Sequence, residues 1–208
     1  MDTPNSGQMY NTVFPRFFEG NHYFIDEKVG LLKFSNNYKV YDDQGNQLGE
    51  IVQEVSGWHK FLRLLLSKAM FPFTMHIKDM QGGIQATVKR GWTFFMSKIE
   101  VLDHNGNMIG TIQQKFKFFK PEFRIANASG TLIAIIHGDW TAWNFNINDP
   151  SGYQFGTISK KWNGFMKEAF TTADKYNVSI APEYAEDLNK IVVVSSAITI
   201  DMVLKESK

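Results

Sequence analysis

The sequence predicts an all-β domain, a closed barrel of about twelve strands around one apolar C-terminal helix. Three observations predict it. One hairpin pattern recurs five times, and the chain contains 18 Phe, 7 Tyr and 5 Trp, residues that fit a pleated, half-buried sheet. The longest apolar run, Ile191 to Leu204, stands near the C-terminus. A sheet with so many strands usually closes on itself, because closure hides its edges.

The repeated pattern is Asp or Asn, two residues, Gly, three residues, a small residue, one residue, then Ile or Val. Asp or Asn favours the start of a type I turn, and Gly three residues later supplies a left-handed backbone position. Apolar residues alternate before each turn, as expected of strands with one buried face. The sequence therefore predicts five hairpins, which begin at Asp42, Asp79, Asp103, Asn127 and Asp149, with turn glycines Gly45, Gly82, Gly106, Gly130 and Gly152.

The remaining strands and one helix are predicted between and outside these hairpins. The first interval between turn glycines is 37 residues and the second is 24, so a segment is inserted, and residues 57–70 are rich in helix formers. Shorter strands are expected near 22–26, 31–34 and 176–180. Aromatic residues four positions after the β-branched residues are expected to form one layer, namely Trp92, Phe116, Trp140 and Trp162. Residues 1–21 are interpreted as an N-terminal extension and 22–208 as the barrel domain.

The C-terminal run is predicted to form a helix inside the barrel. Residues 182–188 combine Pro with acidic residues, as at a helix start, and Lys205 complements the far end of the helix dipole. By propensity alone, residues 191–194 favour a strand, which is the alternative. A barrel of this size is too wide for its own side chains to fill, and this favours the helix. Asp201 lies within the apolar run and is expected to be paired or to reach solvent, in a structural role.

Composition excludes several classes of protein. Lys plus Arg number 22 and Asp plus Glu 21, so no bulk positive field attracts nucleic acid, and we predict no nucleic-acid partner. The absence of cysteine excludes disulfides, thiolate metal sites and Cys nucleophiles. The N-terminus lacks a secretory signal, so a cytoplasmic location is expected. The five histidines form no recognised catalytic motif, and catalysis is not expected unless scattered residues converge in space.

A specific resemblance appears at residues 156–176, GTISKKWNGFMKEAFTTADKY. This segment resembles the G-x-I-x-K-x-W-x-G-x-x-[KR]-E-x-F-T-D-A-D-x-[FY] segment of phospholipid scramblases, and a weaker resemblance extends over 22–204. The resemblance implies a tubby-like barrel around a hydrophobic helix, shared with phosphoinositide-binding tubby proteins and plant LURP-one-related proteins. It also implies calcium-stimulated, energy-independent movement of phospholipid between leaflets.

The sequence departs from the scramblase pattern in several places, among them the missing Pro-rich N-terminal region and one residue added before Pro182. The cysteine-rich palmitoylated stretch has no counterpart, and the first acid of the calcium loop is replaced by Thr172. Asp174 and Glu183 remain as calcium candidates. Because calcium takes about six to eight oxygen ligands, these two carboxylates are expected to bind it weakly, and no cofactor is expected to be required.

Two basic, aromatic-rich stretches are the candidate lipid-binding sites. The first lies in the inserted segment and contains Trp58, Lys60 and Arg63; it fits a membrane-interface helix, or a helix packed across the barrel mouth with its charges solvated. The second is a rim of cations that would bind phosphate; the same pattern also fits strands with one solvated face. Its residues are Lys89, Arg90, Lys115, Lys117, Lys160 and Lys161.

The functional hypothesis is a scramblase-related protein that contacts anionic phospholipid peripherally at a membrane, with phosphoinositides among the candidate lipids and scrambling as a further activity. A protein partner is a second option for its binding. The alternative is a soluble barrel that binds a protein or a small ligand and has no lipid activity.

Overall fold

The computed structural model describes residues 14–28, 37–54, 72–92, 98–115, 122–139, 141–160, 175–185 and 187–205. Twelve antiparallel strands follow one another around a closed barrel, and β1 pairs with β12 to complete it. The predicted fold class is confirmed. The predicted helix at 57–70 and strand at 31–34 lie outside the described residues. The strands are β1 (His22–Lys28), β2 (Asn37–Tyr41), β3 (Gln47–Glu54), β4 (Phe73–Asp79), β5 (Ile84–Arg90), β6 (Lys98–Asp103), β7 (Met108–Lys115), β8 (Glu122–Asn127), β9 (Leu132–Asp139), β10 (Asn144–Asn148), β11 (Gln154–Ser159) and β12 (Lys175–Ile180).

The five predicted turns lie together at one end of the barrel, which we call the turn end. Each turn glycine has a positive φ between 82° and 94°, as predicted. In the third turn, Asp103 Oδ1 accepts hydrogen bonds from the backbone N–H groups of Asn105 at 2.9 Å and Asn107 at 2.8 Å. In the fifth, the hydrogen bond from the Ser151 hydroxyl is the main cause that lowers the pKa of Asp149. Asp or Asn therefore builds each turn by accepting backbone hydrogen bonds.

The opposite end of the barrel, where β3, β5, β7, β9 and β11 finish, is called the far end. Between the two ends, alternate residues of each strand point inward, and their aliphatic side chains are fully buried, as for Ile51, Ile77 and Val101. Full burial of one such side chain stabilises the fold by about 1.5–3 kcal/mol. The core therefore fills the space between the barrel wall and the central helix.

The central helix, α1 (Leu188–Lys205), is buried throughout its middle, and Val192, Val193 and Val194 are each 0% exposed. The helix prediction for this run is confirmed over the strand alternative. The closed barrel has no free strand edge for the segment to pair with, so its backbone groups must bond to one another. Burial inside the barrel thus overrides the β-propensity of the valines.

Helix α1 begins at Leu188, six residues later than the predicted opening at Pro182. The reason is that Ala181 still donates its N–H to the carbonyl of Phe155 at 2.7 Å, and the chain turns before it enters the barrel. Asp187 then caps the helix, since its Oδ1 accepts from the backbone N–H groups of Asn189 at 2.8 Å and Lys190 at 3.1 Å.

The helix approaches the barrel wall closely at Gly110. A Cβ atom at this position would lie 2.5 Å from Val192 Cγ1 and 2.7 Å from the carbonyl oxygen of Ala126. The small residue of the repeated pattern is therefore required by packing, because α1 lies directly against β7 there.

The packed unit includes residues before the predicted boundary at 22. A short 3₁₀ helix, Arg16–Phe18, buries Phe17 and Phe18 in the core. Lys190 on α1 reaches this segment and donates to the carbonyl of Glu19 at 3.2 Å and to Asn21 Oδ1 at 3.1 Å. The segment closes the turn end around the start of α1.

Among the four aromatics predicted to share a layer, Trp92 is 50% exposed. The other three, Phe116, Trp140 and Trp162, lie outside the described residues. Trp92 therefore contributes to the surface of the far end rather than to a buried layer.

Candidate functional site

The described members of the predicted cation rim lie at the far end, spread around the barrel, with β5 and β11 on opposite sides of it. Lys89 and Arg90 finish β5, Lys115 finishes β7, and Lys160 follows β11. These strands run in the same direction, so their last residues meet at the same end of the barrel. The other lipid-binding candidates lie outside the described residues: Trp58, Lys60, Arg63, Lys117 and Lys161.

Lys89 and Arg90 lie on opposite faces of the barrel wall, because side chains of successive strand residues point in opposite directions. Lys89 faces outward, with its Nζ 3.5 Å from Glu100 Oε2. Arg90 is 3% exposed, and its guanidinium lies 4.7 Å from the ring centroid of Phe73. Arg90 therefore belongs to the barrel interior and does not lie on the outer surface that carries Lys89.

Lys160 stacks on an aromatic residue that the sequence reasoning missed. Its Nζ lies 4.6 Å from the ring centroid of Trp143, and its backbone N–H donates to the carbonyl of Trp143 at 3.3 Å. The Trp143 ring in turn packs against Tyr176 and Phe145, at centroid distances of 5.6 and 6.0 Å. The indole thus connects a surface cation to the buried aromatic core.

Trp143 also has a strained backbone, with φ at +49°, and no other non-glycine residue of the described ranges has a positive φ. A left-handed non-glycine residue costs roughly 1–3 kcal/mol, and such strain concentrates at functional sites. The turn between β9 and β10 is held by Asp139, whose Oδ1 accepts from the Thr141 N–H at 2.8 Å. No glycine marks this turn in the sequence, so its geometry could not be predicted.

Lys115 lies opposite Glu122 in the β7–β8 ladder, at the outer edge of the far end. Glu122 Oε1 also accepts from Arg124 Nε at 2.9 Å. Glu122 is 8% exposed, so its pair with Arg124 is partly buried, and acidic residues alternate with the cations at this edge.

Charge is distributed unevenly between the two ends. Among the side chains that the structure describes, the turn end carries eight acidic and three basic residues and the far end six acidic and seven basic ones, while Lys39 and Glu50 lie in the middle of β2 and β3 and are counted with neither end. The turn-end residues are Glu19, Asp42, Asp43, Asp79, Asp103, Asp149, Glu183 and Asp187 against Arg16, Lys78 and Lys190. The far-end cations are Lys89, Arg90, Lys98, Lys115, Arg124, Lys160 and Lys175, and the far-end acids are Asp26, Glu54, Glu100, Glu122, Asp139 and Asp201. The barrel is therefore electrically polarised along its axis.

A second cluster missed from the sequence lies on the outer face of β3, β4 and β5. His76 Nδ1 is 3.0 Å from Thr87 Oγ1, and its Nε2 is 3.1 Å from Glu54 Oε1. The order hydroxyl, imidazole, carboxylate occurs in nucleophilic catalysis. Thr87 is 8% exposed and lies within strand β5. The signal that could have found the cluster is the Asp79 hairpin, which aligns His76 with Thr87.

Inside the far end, Asp201 is buried and accepts a hydrogen bond from a tyrosine, where solvent or a basic partner was expected. Tyr38 donates to Asp201 Oδ2 at 3.0 Å, and the two residues are 1% and 5% exposed. A neighbouring gap between α1 and the strands β7 to β9 is lined by Ile112, Phe123, Ile136, Ser196 and Ile200 and is too narrow for a water molecule.

The two calcium candidates do not assemble a site within the described residues. Glu183 is exposed and accepts a long hydrogen bond from the Tyr153 hydroxyl at 3.5 Å, while Asp174 lies outside the described residues. In the described part of the chain, no three His, Asp or Glu side chains cluster closely enough to hold a metal ion. Likewise, no helix described here has the length and apolar character needed to span a membrane.

A closed twelve-stranded antiparallel barrel around an apolar helix is the tubby-like barrel class of protein. The chain belongs to the scramblase family, whose model matches residues 31–207. In fold it is similar to a protein from Arabidopsis thaliana with a solved X-ray structure: the TM-score is 0.52 at 12% identity, over 88% of this chain and 91% of that one. No curated protein matches the sequence.

Proposed function

We propose that this scramblase-related protein binds anionic phospholipid peripherally through its far end. The supporting observation is the position of Lys89, Lys115 and Lys160 at one end of a barrel whose other end is acidic. A negatively charged leaflet attracts the far end and repels the turn end, so binding is oriented. Each basic residue near such a surface contributes about 1 kcal/mol.

Lys160 and Trp143 are the proposed centre of this contact. The ammonium of Lys160 is held over the indole, and its backbone N–H bonds to the Trp143 carbonyl. An indole favours the headgroup region of a bilayer, and a lysine beside it meets the phosphates. The strained turn of Trp143 holds the two side chains together before any lipid arrives, which reduces the entropy lost on binding.

Binding, rather than lipid transport, is the activity proposed. Helix α1 contains Ser195, Ser196 and Thr199, and all three are buried within the barrel. A buried helix supports a binding protein more than a path for lipid across a bilayer. The cytoplasmic leaflet is the proposed membrane, because its phosphatidylserine and phosphoinositides supply the negative charge. Calcium is not required by this proposal.

Co-sedimentation with liposomes tests the proposal. Vesicles of neutral lipid are compared with vesicles containing phosphatidylserine or a phosphoinositide, at low and physiological salt, with and without calcium. We expect binding only to the anionic vesicles, weakened by salt, and about fivefold weaker for Lys160→Gln. Lys78→Gln at the turn end is the matched control and should bind normally. Absence of binding under every condition would overturn the proposal, and calcium dependence lost in Glu183→Gln would assign the metal a role.

A further inference from the structure

Exposed apolar side chains are concentrated at the turn end. Of the six large hydrophobic residues that are exposed in the described ranges, five lie there: Met80 at 55%, Ile84 at 39%, Met108 at 40%, Tyr153 at 60% and Leu188 at 54%. The sixth, Trp92, lies at the far end. Surface apolar residues scattered singly need no explanation, but a group of them at one end marks an interaction surface.

Met80, Ile84 and Met108 lie on two neighbouring hairpins of the turn end, and we call these three residues the methionine patch. β5 pairs with β6, so the β4–β5 and β6–β7 hairpins are neighbours. Ile84 is the ladder partner of Lys78, and Met108 is the partner of Leu102, which places both on the outer face. Two strand spacings, about 10 Å, separate β5 from β7, and the register places Met108 level with Thr87, three residues along β5 from Ile84, so Ile84 and Met108 lie roughly 14 Å apart, a distance that a helix of about three turns spans.

The hairpin itself does not require apolar residues at these positions. Ile84 and Met108 each stand five residues after the Asp of their turn, and Gln47 and Gln154 occupy the same position in the first and fifth hairpins. Met80 follows its Asp directly, where the first hairpin has Asp43 and the third has His104. Since polar residues build the same turn, the methionine patch serves something other than folding.

Acidic side chains border the methionine patch. Asp79 Oδ1 accepts from the N–H groups of Gln81 at 2.9 Å and Gly83 at 2.8 Å, and Asp103 is held in the same way by its own turn. Their charges are therefore fixed in place beside the methionines. Methionine is flexible and polarisable, and adapts to varied apolar partners. The surface is complementary to a ligand that is both cationic and apolar.

We infer that the methionine patch docks a partner protein through an amphipathic helix that carries Lys or Arg beside an apolar stripe. Helix-in-groove recognition joins apolar anchors to a charged rim in this way. The acidic turn end repels an anionic bilayer, which favours a protein over a membrane as the occupant. This inference does not rest on the proposed lipid binding, since the two surfaces lie at opposite ends of the barrel.

The test uses the full chain without lipid and two synthetic amphipathic helical peptides, one of Leu and Lys and one of Leu and Glu in the same pattern. Isothermal titration should show binding of the Leu/Lys peptide only. The double variant Met80→Lys/Met108→Lys should weaken it at least tenfold, because it removes the apolar contacts and adds like charge. Trp92→Lys, which adds charge at the far end, is the matched control and should bind as the unaltered chain does.

Three outcomes would overturn the inference: no binding of the Leu/Lys peptide, equal binding of the two peptides, or binding that survives the double variant. Binding of the protein to neutral vesicles that is lost in the double variant would also overturn the inference, because the methionine patch would then contact lipid. Circular dichroism checks that each variant is folded. The double variant should still sediment with anionic vesicles. A failure of the proposed peptide binding is therefore distinguishable from a failure of the proposed lipid binding.

Discussion

The hydroxyl of Tyr38 donates a hydrogen bond to Asp201 Oδ2 at 3.0 Å, joining β2 to α1 inside the barrel. Tyr38 and Asp201 are separated by 163 residues in the chain. A second phenol, that of Tyr176, donates to the carbonyl of Ile198 on the same helix. Two tyrosines of the barrel wall thus hold the last turns of an otherwise apolar helix.

Tyr38→Phe removes the hydrogen bond to Asp201 while keeping the ring. We expect the free energy of unfolding to fall by about 2 kcal/mol, because a buried hydrogen bond to a carboxylate is lost. Urea denaturation followed by tryptophan fluorescence measures it. Tyr153→Phe, whose hydroxyl makes only a long, exposed hydrogen bond to Glu183, is the control and should change stability little. Equal losses in the two variants would contradict the role of Asp201.

Ser195→Ala should stabilise the protein by about 1 kcal/mol. Ser195 Oγ is buried and has no hydrogen-bond partner in the described part of the chain, so the hydroxyl carries a desolvation cost that alanine removes. Ser196→Ala is the matched control, since Ser196 Oγ donates to the Val192 carbonyl at 2.6 Å. Thermal denaturation should show a higher Tm for Ser195→Ala than for Ser196→Ala. The reverse order would mean that Ser195 is satisfied.

Gly110→Ala should destabilise the protein by about 1–3 kcal/mol, because the new methyl group would overlap with Val192 and with the Ala126 carbonyl. Gly91→Ala is the control: a Cβ there meets nothing within 4 Å. Val192→Ala should recover part of the loss in the double variant, as expected for residues in direct contact. Purely additive losses would show that α1 does not press on β7 at this position.

Alkaline pH should weaken the fold through Tyr184. Burial, with smaller effects of Asp187 and Asp149, raises the pKa of Tyr184 from 10.0 to about 12. Its ring stacks on Phe155 at a centroid distance of 4.5 Å. Because the folded-state pKa lies above the unfolded value, the stability that neutral Tyr184 contributes is complete below pH 10 and is lost between pH 10 and about 12.

Burial raises the pKa of Tyr41 as well as that of Tyr184, so absorbance at about 295 nm, which follows tyrosinate, should show more than one tyrosine titrating late. Tyr184→Phe should make this late step smaller by one tyrosine and should flatten the pH dependence of unfolding in that range. A late step of unchanged size in Tyr184→Phe would assign it to other tyrosines.

The interior and the turns were largely predictable. The five turn glycines follow from a spacing that only a left-handed residue satisfies, and the alternation of apolar residues identifies the buried face. The period of two also places Lys89 and Arg90 on opposite faces. The predicted cation rim was defined by the positions of Lys and Arg in the sequence, without regard to this alternation. It therefore placed Lys89 and Arg90 on the same surface.

The contacts of the candidate site were less predictable, because they depend on which strands become neighbours. Lys160 meets Trp143 through a turn with no glycine signal, and His76 meets Glu54 across two strands joined by residues that carry no hairpin motif. The distance between two residues in the sequence does not show that their side chains are in contact until it is known which strands pair and in what register.

The sequence by itself determined the five repeated hairpins and the small residue in the strand that follows each turn, since both depend on local spacing. It also determined family membership, which depends on matched residue types. For residues 191–194 the sequence favoured a helix but left a strand open, and the tertiary structure decided between them, because a closed barrel offers their backbone no strand to pair with. It also decided the axial charge, because closure gathers acids from four separate turns, distant in sequence, at one end.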